Sequence, residues 1–82
     1  MTILEEAQQI IDGPRRDSYG PVDLSFAQIA AIWTIILGHQ VTPQQVALCM
    51  IGLKLQREGN AHSRDNLIDI AGYTLLLEKL IE

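Results

Sequence analysis

The chain has 82 residues, of which 48% are hydrophobic and 20% are charged, and its formal net charge is −4. This length accommodates one small domain, so we treat residues 1–82 as a single domain. The acidic balance excludes a general DNA- or RNA-binding role, because such proteins neutralise phosphates with a basic stripe. A domain of this size buries little apolar surface, so its high hydrophobic content predicts a homo-oligomer.

The N-terminal sequence has no basic region before an apolar run, so we expect no signal peptide. The longest apolar stretch, residues 29–37, is interrupted by Thr34 and is too short to cross a bilayer. The single cysteine, Cys49, lies between Leu48 and Met50, and we expect it to be a core thiol in a reducing compartment. These features predict a cytoplasmic protein with no membrane partner.

The first predicted element is a helix that opens on a capping box of Thr2 and Glu5 and ends near Asp12. Residues 13–22 connect this helix to the next one, and their glycines and prolines prevent the connection from being regular helix throughout. Long loops often carry function, so Arg16 or Tyr19 in this connection is a candidate to close over a ligand. The alternative is a solvated loop whose charges do little.

The second predicted helix begins at Ser25, which forms a capping-box pattern with Gln28, and ends at Gly38. Between residues 26 and 37 only Gln28 and Thr34 are polar. A helix that is apolar on every side is buried on every side. In so small a domain this pattern again predicts contacts between subunits.

The third helix is predicted to begin at Thr42 and Pro43, with Gln45 completing a capping box, and to end at residues 59–60. The fourth begins near Ser63 and continues to the C-terminus. The sequence shows neither alternating strand patterns nor repeats. The predicted fold is therefore all-α, a small bundle of about four helices.

The last two helices carry charges on otherwise apolar faces. At about 100° per residue, Lys54 falls in line with Ala47 and Met50, and Asp69 is continuous with an apolar stripe. Charges in such surroundings are costly unless they meet each other or a ligand. The cluster that this pattern singles out consists of Lys54, Arg57, Asp65 and Asp69.

Two interpretations of this cluster stay open. In the first, the charges form a structural ion-pair network that fixes how the last two helices pack. In the second, they line a pocket whose cations bind phosphate or carboxylate and whose acids bind hydroxyls, amines or a base edge. No phosphate-binding glycine loop, zinc-binding helix or nucleophile triad is present, so we predict no catalytic residue, metal or cofactor.

Several short motifs are spread over the chain: Asp17-Ser18-Tyr19-Gly20, Trp33, Lys54 with Arg57, Arg64-Asp65 and Asp69-Ile70-Ala71-Gly72-Tyr73. In these motifs the chain resembles a family of small phage and prophage proteins known as a domain of unknown function. The resemblance covers nearly the whole chain. It implies a phage or prophage setting, and therefore the host-cell cytoplasm, but it implies no activity.

The chain is more distantly similar to MazG-like all-α nucleotide pyrophosphohydrolases, which are helical and oligomeric. These enzymes hold Mg²⁺ with a Glu-Glu-x-x-Glu motif on one helix and Glu-x-x-Asp on the next. Asn66 to Asp69 resembles the second motif, but Asn66 replaces a glutamate, and Lys54 and Arg57 stand where the acidic motif belongs. Cations at these positions would bind phosphate directly and leave a metal without ligands. The departure favours recognition without hydrolysis.

We therefore predict a non-catalytic protein that binds a nucleotide-like anionic small molecule, which in a phage setting suits sequestration of a host defence nucleotide signal. The predicted ligand-binding residues are Lys54, Arg57 and Arg64 for phosphate, Asp65 and Asp69 for ribose, base or the cations, and Tyr73, Arg16 and Tyr19 around the pocket.

Two alternatives come from other classes of protein. The first is a Mg²⁺-dependent nucleotide pyrophosphohydrolase that uses Asp65, Asp69, Glu58 and Asp17. The second is a helical oligomerisation or interaction module whose charges only set the packing of its helices.

Overall fold

The computed structural model describes residues 1–13 and 21–82. These residues form four helices: α1 (Ile3–Asp12), α2 (Val22–Leu37), α3 (Pro43–Asn60) and α4 (Arg64–Ile81). No strand occurs within them, so the predicted all-α bundle is confirmed. In the described part of the chain, no helix combines the length and the apolar character that crossing a membrane requires.

Two of the three predicted N-terminal capping boxes are present. The Thr2 hydroxyl accepts the Glu5 N–H at 3.1 Å, and the Glu5 carboxylate accepts the Thr2 N–H at 3.0 Å. Thr42 and Gln45 exchange the same pair of bonds at 3.2 and 2.9 Å. Gly38 ends α2 as predicted, with a φ of 75° that glycine adopts without the steric cost of a Cβ.

The start of α2 differs from the prediction. The helix begins at Val22, and the carbonyl of Pro21 accepts the N–H of Ser25 at 2.9 Å. Proline suits this end because its φ is fixed near the helical value and it lacks an N–H that would need a partner. Asp23 in the first turn adds a carboxylate where the helix dipole is positive. Ser25 therefore lies inside the helix and does not cap it.

α4 is the central helix of the bundle. It packs against each of the other three helices, whereas within the described residues α1 packs against α4 alone. Ala7 and Ile11 of α1 are 0% and 5% exposed, and a Cβ added at Gly72 of α4 would lie 3.8 Å from the Cγ2 of Ile11. The apolar residues all round α4 thus reflect a helix with three neighbours.

The buried core of the described chain comprises Ala7, Ile11, Phe26, Ala30, Val41, Val46, Ala47, Ile68 and Leu76. Thr34, a polar interruption of α2, ties the following connection to this core. Its hydroxyl donates to the Ala30 carbonyl at 2.8 Å and accepts the Val41 N–H at 2.9 Å. The hydroxyl thus satisfies a backbone N–H at the point where Val41 enters the core.

Cys49 is exposed, so the prediction of a core thiol is wrong. Its neighbour Leu48 is 53% exposed, whereas Val46 and Ala47 are 1% and 0% exposed. Adjacent residues on a helix point about 100° apart, so apolar neighbours in the sequence do not indicate that a residue is buried.

Candidate functional site

An ion pair bridges α3 and α4. The Lys54 Nζ lies 2.8 Å from the Asp69 Oδ2, and the two side chains are 15% and 31% exposed. Asp69 shares a helix face with the buried Gly72 and Leu76, and Lys54 shares one with the buried Ala47. Each charge therefore lies beside apolar packing, where loss of one would leave the other poorly compensated.

This ion pair forms the charged part of the described wall of a cavity of about 420 Å³, to which Ser25 adds a hydroxyl. All four helices contribute to the wall, and within the described residues no Cα atom of α1 lies within 8 Å of a Cα atom of α2. The aromatic lining residues are Phe26 and Trp33 from α2 and Tyr73 from α4. The aliphatic lining residues are Ala7, Ile10, Ile11, Ile29, Val46, Met50, Ile68 and Leu76. The cavity is thus mostly apolar, with one lysine and one aspartate in its described wall.

The α2 side of the cavity follows from the spacing of its residues. Phe26, Ile29 and Trp33 recur at i, i+3 and i+7 and therefore share one face of the helix. Trp33 packs against the core cluster and also lines the cavity. Sequence reasoning did not identify Phe26, Ile29 or Met50 as site residues. The spacing predicts that these residues face inward, but it does not show that α1 stands apart from α2 and leaves a cavity.

The predicted ligand-binding residues that the structure brings together in the cavity wall are Lys54, Asp69 and Tyr73. Arg57 and Asp65 are exposed and lie outside the lining that the described residues form. Arg57, three residues beyond Lys54, lies only about 60° around the helix from it, so helical phase alone does not separate the two, and its exposure places it outside the lining. Arg16 and Tyr19 lie outside the described residues.

Arg64 is engaged at the surface. Its guanidinium pairs with the Glu6 carboxylate of α1, and its Nη2 donates to the Met1 carbonyl at 2.9 Å. Near the other end of the same helix pair, the Lys79 Nζ lies 3.4 Å from the Asp12 Oδ1. Arg64 and Lys79 therefore hold α1 against α4, one near each end.

Glu58 is engaged in the turn between α3 and α4. Its carboxylate lies 2.5 Å from the His62 Nδ1 and accepts the Ser63 N–H at 2.9 Å and the Asn66 side-chain N–H at 3.3 Å. These hydrogen bonds, foremost the one with His62, lower the pKa of Glu58. Glu58 therefore stabilises the turn through which the two site-bearing helices are joined.

Asp17, the other carboxylate proposed for a metal-dependent enzyme, lies outside the described residues. Among residues 1–13 and 21–82, no three His, Cys, Asp or Glu side chains come together in a group that could hold a metal ion.

Residues 2–81 match the sequence profile of a family described as "Domain of unknown function (DUF6378)". The chain belongs to this family. It is 40% identical over 82 residues to the Gene 55 protein of Mycobacterium phage L5, covering 98% of this chain and 53% of that protein. It is 37% identical over 82 residues to the Gene 55 protein of Mycobacterium phage D29, covering 99% of this chain and 54% of that protein.

The chain thus spans about half the length of these phage relatives. The expected membership of a small phage family of unknown function is confirmed. No solved structure matches the chain significantly. The cavity is therefore the feature of the structure on which a functional proposal rests.

Proposed function

We propose that the cavity binds a nucleotide-like small molecule without hydrolysing it. The observation that carries this proposal is the Lys54–Asp69 pair in the wall of a mostly apolar cavity with three aromatic lining residues. Small-molecule sites commonly combine an apolar lining with a few convergent polar groups in this way.

The size and lining of the cavity support a ring-containing ligand. Its volume of about 420 Å³ falls in the range of roughly 300–1,000 Å³ that is typical of small-molecule sites. Phe26, Trp33 and Tyr73 offer aromatic surface on two sides, from α2 and α4. Stacking of a base on such a side chain contributes about 1–3 kcal/mol and does not require a particular base.

The Lys54–Asp69 ion pair supports recognition of the polar edge of a base or of ribose hydroxyls. The Lys54 ammonium has three N–H donors and the Asp69 carboxylate has several lone pairs, so their mutual contact leaves both groups with unused hydrogen-bonding capacity. Together they present a donor beside an acceptor. A base edge, or a pair of ribose hydroxyls, presents the complementary arrangement.

The charge of the cavity bears on where a phosphate would lie. Its described wall contains one cation and one carboxylate, so a phosphate directly at Lys54 would also face Asp69. We therefore propose that the base or ribose meets this pair and that the phosphate lies toward solvent. In a phage setting such a protein would sequester a host nucleotide signal.

A thermal-shift screen of nucleosides, nucleoside monophosphates and cyclic nucleotides, with and without Mg²⁺, tests the proposal. A ligand at about 100 times its Kd stabilises the native state by about 2.7 kcal/mol, so binding raises the melting temperature. We expect Lys54→Met to abolish the shift. The matched control is Lys79→Met, which removes a surface lysine outside the cavity lining and should leave the shift intact. The proposal fails if no member of the panel raises the melting temperature.

A double variant separates ligand binding from a purely structural pair. Lys54→Asp with Asp69→Lys keeps opposite charges across α3 and α4 but reverses the donor and acceptor that a ligand meets. We expect the fold to persist and the ligand-induced shift to disappear. Persistence of both the fold and the shift would contradict recognition by this pair. Release of phosphate or pyrophosphate in the Mg²⁺ arm would replace the binding proposal with the pyrophosphohydrolase alternative.

A further inference from the structure

The side of α2 that faces away from the cavity is apolar and exposed. On this side Leu24, Ile32 and Ile35 are 54%, 55% and 82% exposed, and in the last turn of the helix Ile36 and Leu37 are 73% and 59% exposed. No charged residue occurs from Leu24 to Leu37. We call this surface the outer face of α2. Contiguous apolar surface of this kind marks an interaction site.

Small residues form a shallow groove beside this surface. The groove has a volume of about 470 Å³ and is lined by Ala27, Ala31 and Ile35 of α2 together with Gln40 and Pro43. Ala27, Ala31 and Ile35 recur at every fourth position and so form one ridge along the helix. The ridge has two small residues followed by one large residue that is 82% exposed.

We propose that the outer face of α2 binds a second copy of this chain, with the two α2 helices antiparallel about a two-fold axis at Ala31. In this register Ile35 lies opposite the partner's Ala27, Ala31 opposite the partner's Ala31, and Leu24 near the partner's Gly38. A large residue thus meets a small one at every step away from the axis. A two-fold interface requires such self-complementarity, because the same surface supplies both sides.

Charge also supports a second copy. Two chains that each carry a net charge of −4 meet here through a face without charged residues. The nearest carboxylate, Asp23, lies in the first turn of the helix, and the antiparallel register brings it toward the partner's His39 and away from the partner's Asp23. No like charges therefore face each other along the paired helices.

The available area fits a protein partner. The exposed aliphatic side chains of the outer face and of the last turn of α2 form a patch on the order of a few hundred Å², and a standard interface buries roughly 800 Å² on each side. The alanines of the ridge and the adjoining Gln28 and His39, all exposed, extend the surface toward that value. A membrane surface fits less well, because helices that lie on membranes combine an apolar face with lysine or arginine. The sequence of α2 contains no lysine and no arginine.

Sedimentation equilibrium and light scattering of the full 82-residue chain test the proposal. We expect the wild type to have twice the mass of one chain at micromolar concentrations. Ile35→Glu should give a monomer whose helical circular dichroism is unchanged, since this side chain is already exposed. Leu55→Glu on α3, at a residue that is 56% exposed, is the matched control and should stay dimeric.

A size swap tests the register. Ala27→Ile alone should weaken the dimer by placing isoleucine against the partner's Ile35, and Ile35→Ala alone should weaken it by removing the large residue. The double variant restores one large and one small residue at each position, and we expect it to recover most of the dimer. A monomeric wild type, a dimer that survives Ile35→Glu, or a monomer that binds phosphatidylcholine vesicles through this face would each overturn the proposal.

Discussion

The pairs Lys54–Asp69 and Arg64–Glu6 both join α4 to a neighbouring helix, but their surroundings differ. Lys54 and Asp69 lie in the apolar cavity wall and are 15% and 31% exposed, whereas Arg64 and Glu6 are 48% and 29% exposed, so the contrast lies between the two cations. Water can solvate an arginine at the surface after its partner is lost, but it reaches Lys54 much less easily. The comparison shows that the position of a charge on its helix, more than its presence, distinguishes the candidate site from the scaffold.

The largest expected effect comes from breaking the cavity pair. Lys54→Met leaves Asp69 without its counter-charge beside apolar residues, and we expect the free energy of unfolding to fall by about 1–3 kcal/mol. Urea denaturation at neutral pH measures this change. Lys54→Met combined with Asp69→Leu removes both charges and should recover much of the loss. A Lys54→Met variant as stable as the wild type would show that the pair is already well solvated.

A glycine on α3, the helix that carries Lys54, sharpens the comparison because its substitution should raise the free energy of unfolding. Gly52 lies in α3, is exposed, and has open space where a Cβ would be added. Gly52→Ala should raise the free energy of unfolding by about 0.5–1 kcal/mol, because alanine loses less backbone entropy on forming helix. The same urea experiment measures it. Ligand-induced thermal shifts should be unchanged, so any loss of them would mean that α3 must deform to bind.

The surface pair is expected to contribute less than the cavity pair. Arg64→Ala removes the contacts with Glu6 and the Met1 carbonyl, and we expect a loss of about 0–1 kcal/mol that diminishes with added salt. Denaturation at low and high salt measures both features. If Arg64→Ala cost more than Lys54→Met, the distinction between scaffold and site that the comparison draws would be wrong.

The smallest effect concerns pH. The hydrogen bonds from His62, Ser63 and Asn66 lower the pKa of Glu58, so they stabilise the fold while the carboxylate is ionised. This contribution is complete above the unfolded-state pKa, about 4.3 for glutamate, and is lost as pH falls through the lowered value. We expect the stability difference between wild type and Glu58→Gln to shrink over that acid range. A difference that stays constant with pH would exclude this origin.

The helix boundaries were predictable where local chemistry decides them. The reciprocal bonds of Thr2 with Glu5 and of Thr42 with Gln45 involve residues three positions apart, so the sequence contains both partners. The start of α2 was not predicted, because Ser25 and Gln28 match the capping pattern while Pro21 is the residue that precedes the helix. A sequence pattern indicates that a cap can form, but competing positions decide whether it does.

The candidate site was predictable only in part. Helical phase placed Lys54 and Asp69 on inward faces, and the structure joins them at 2.8 Å. The same cluster also included Arg57 and Asp65, which are exposed. Arg64 could not be assigned from its own helix, because its partner Glu6 lies 58 positions earlier in the chain.

The sequence by itself determined the all-α class, two of the capping boxes, the end of α2 at Gly38 and the inward direction of the lysine in Lys54-Leu55-Gln56-Arg57. These properties depend on residues within one or two helical turns of each other. Only the tertiary structure decided that α1 and α2 stand apart to form a cavity, that Phe26 and Trp33 line it, and that the rest of the described chain leaves the other side of α2 uncovered. The reason is that helical periodicity fixes which residues share a face, whereas long-range packing fixes what that face meets.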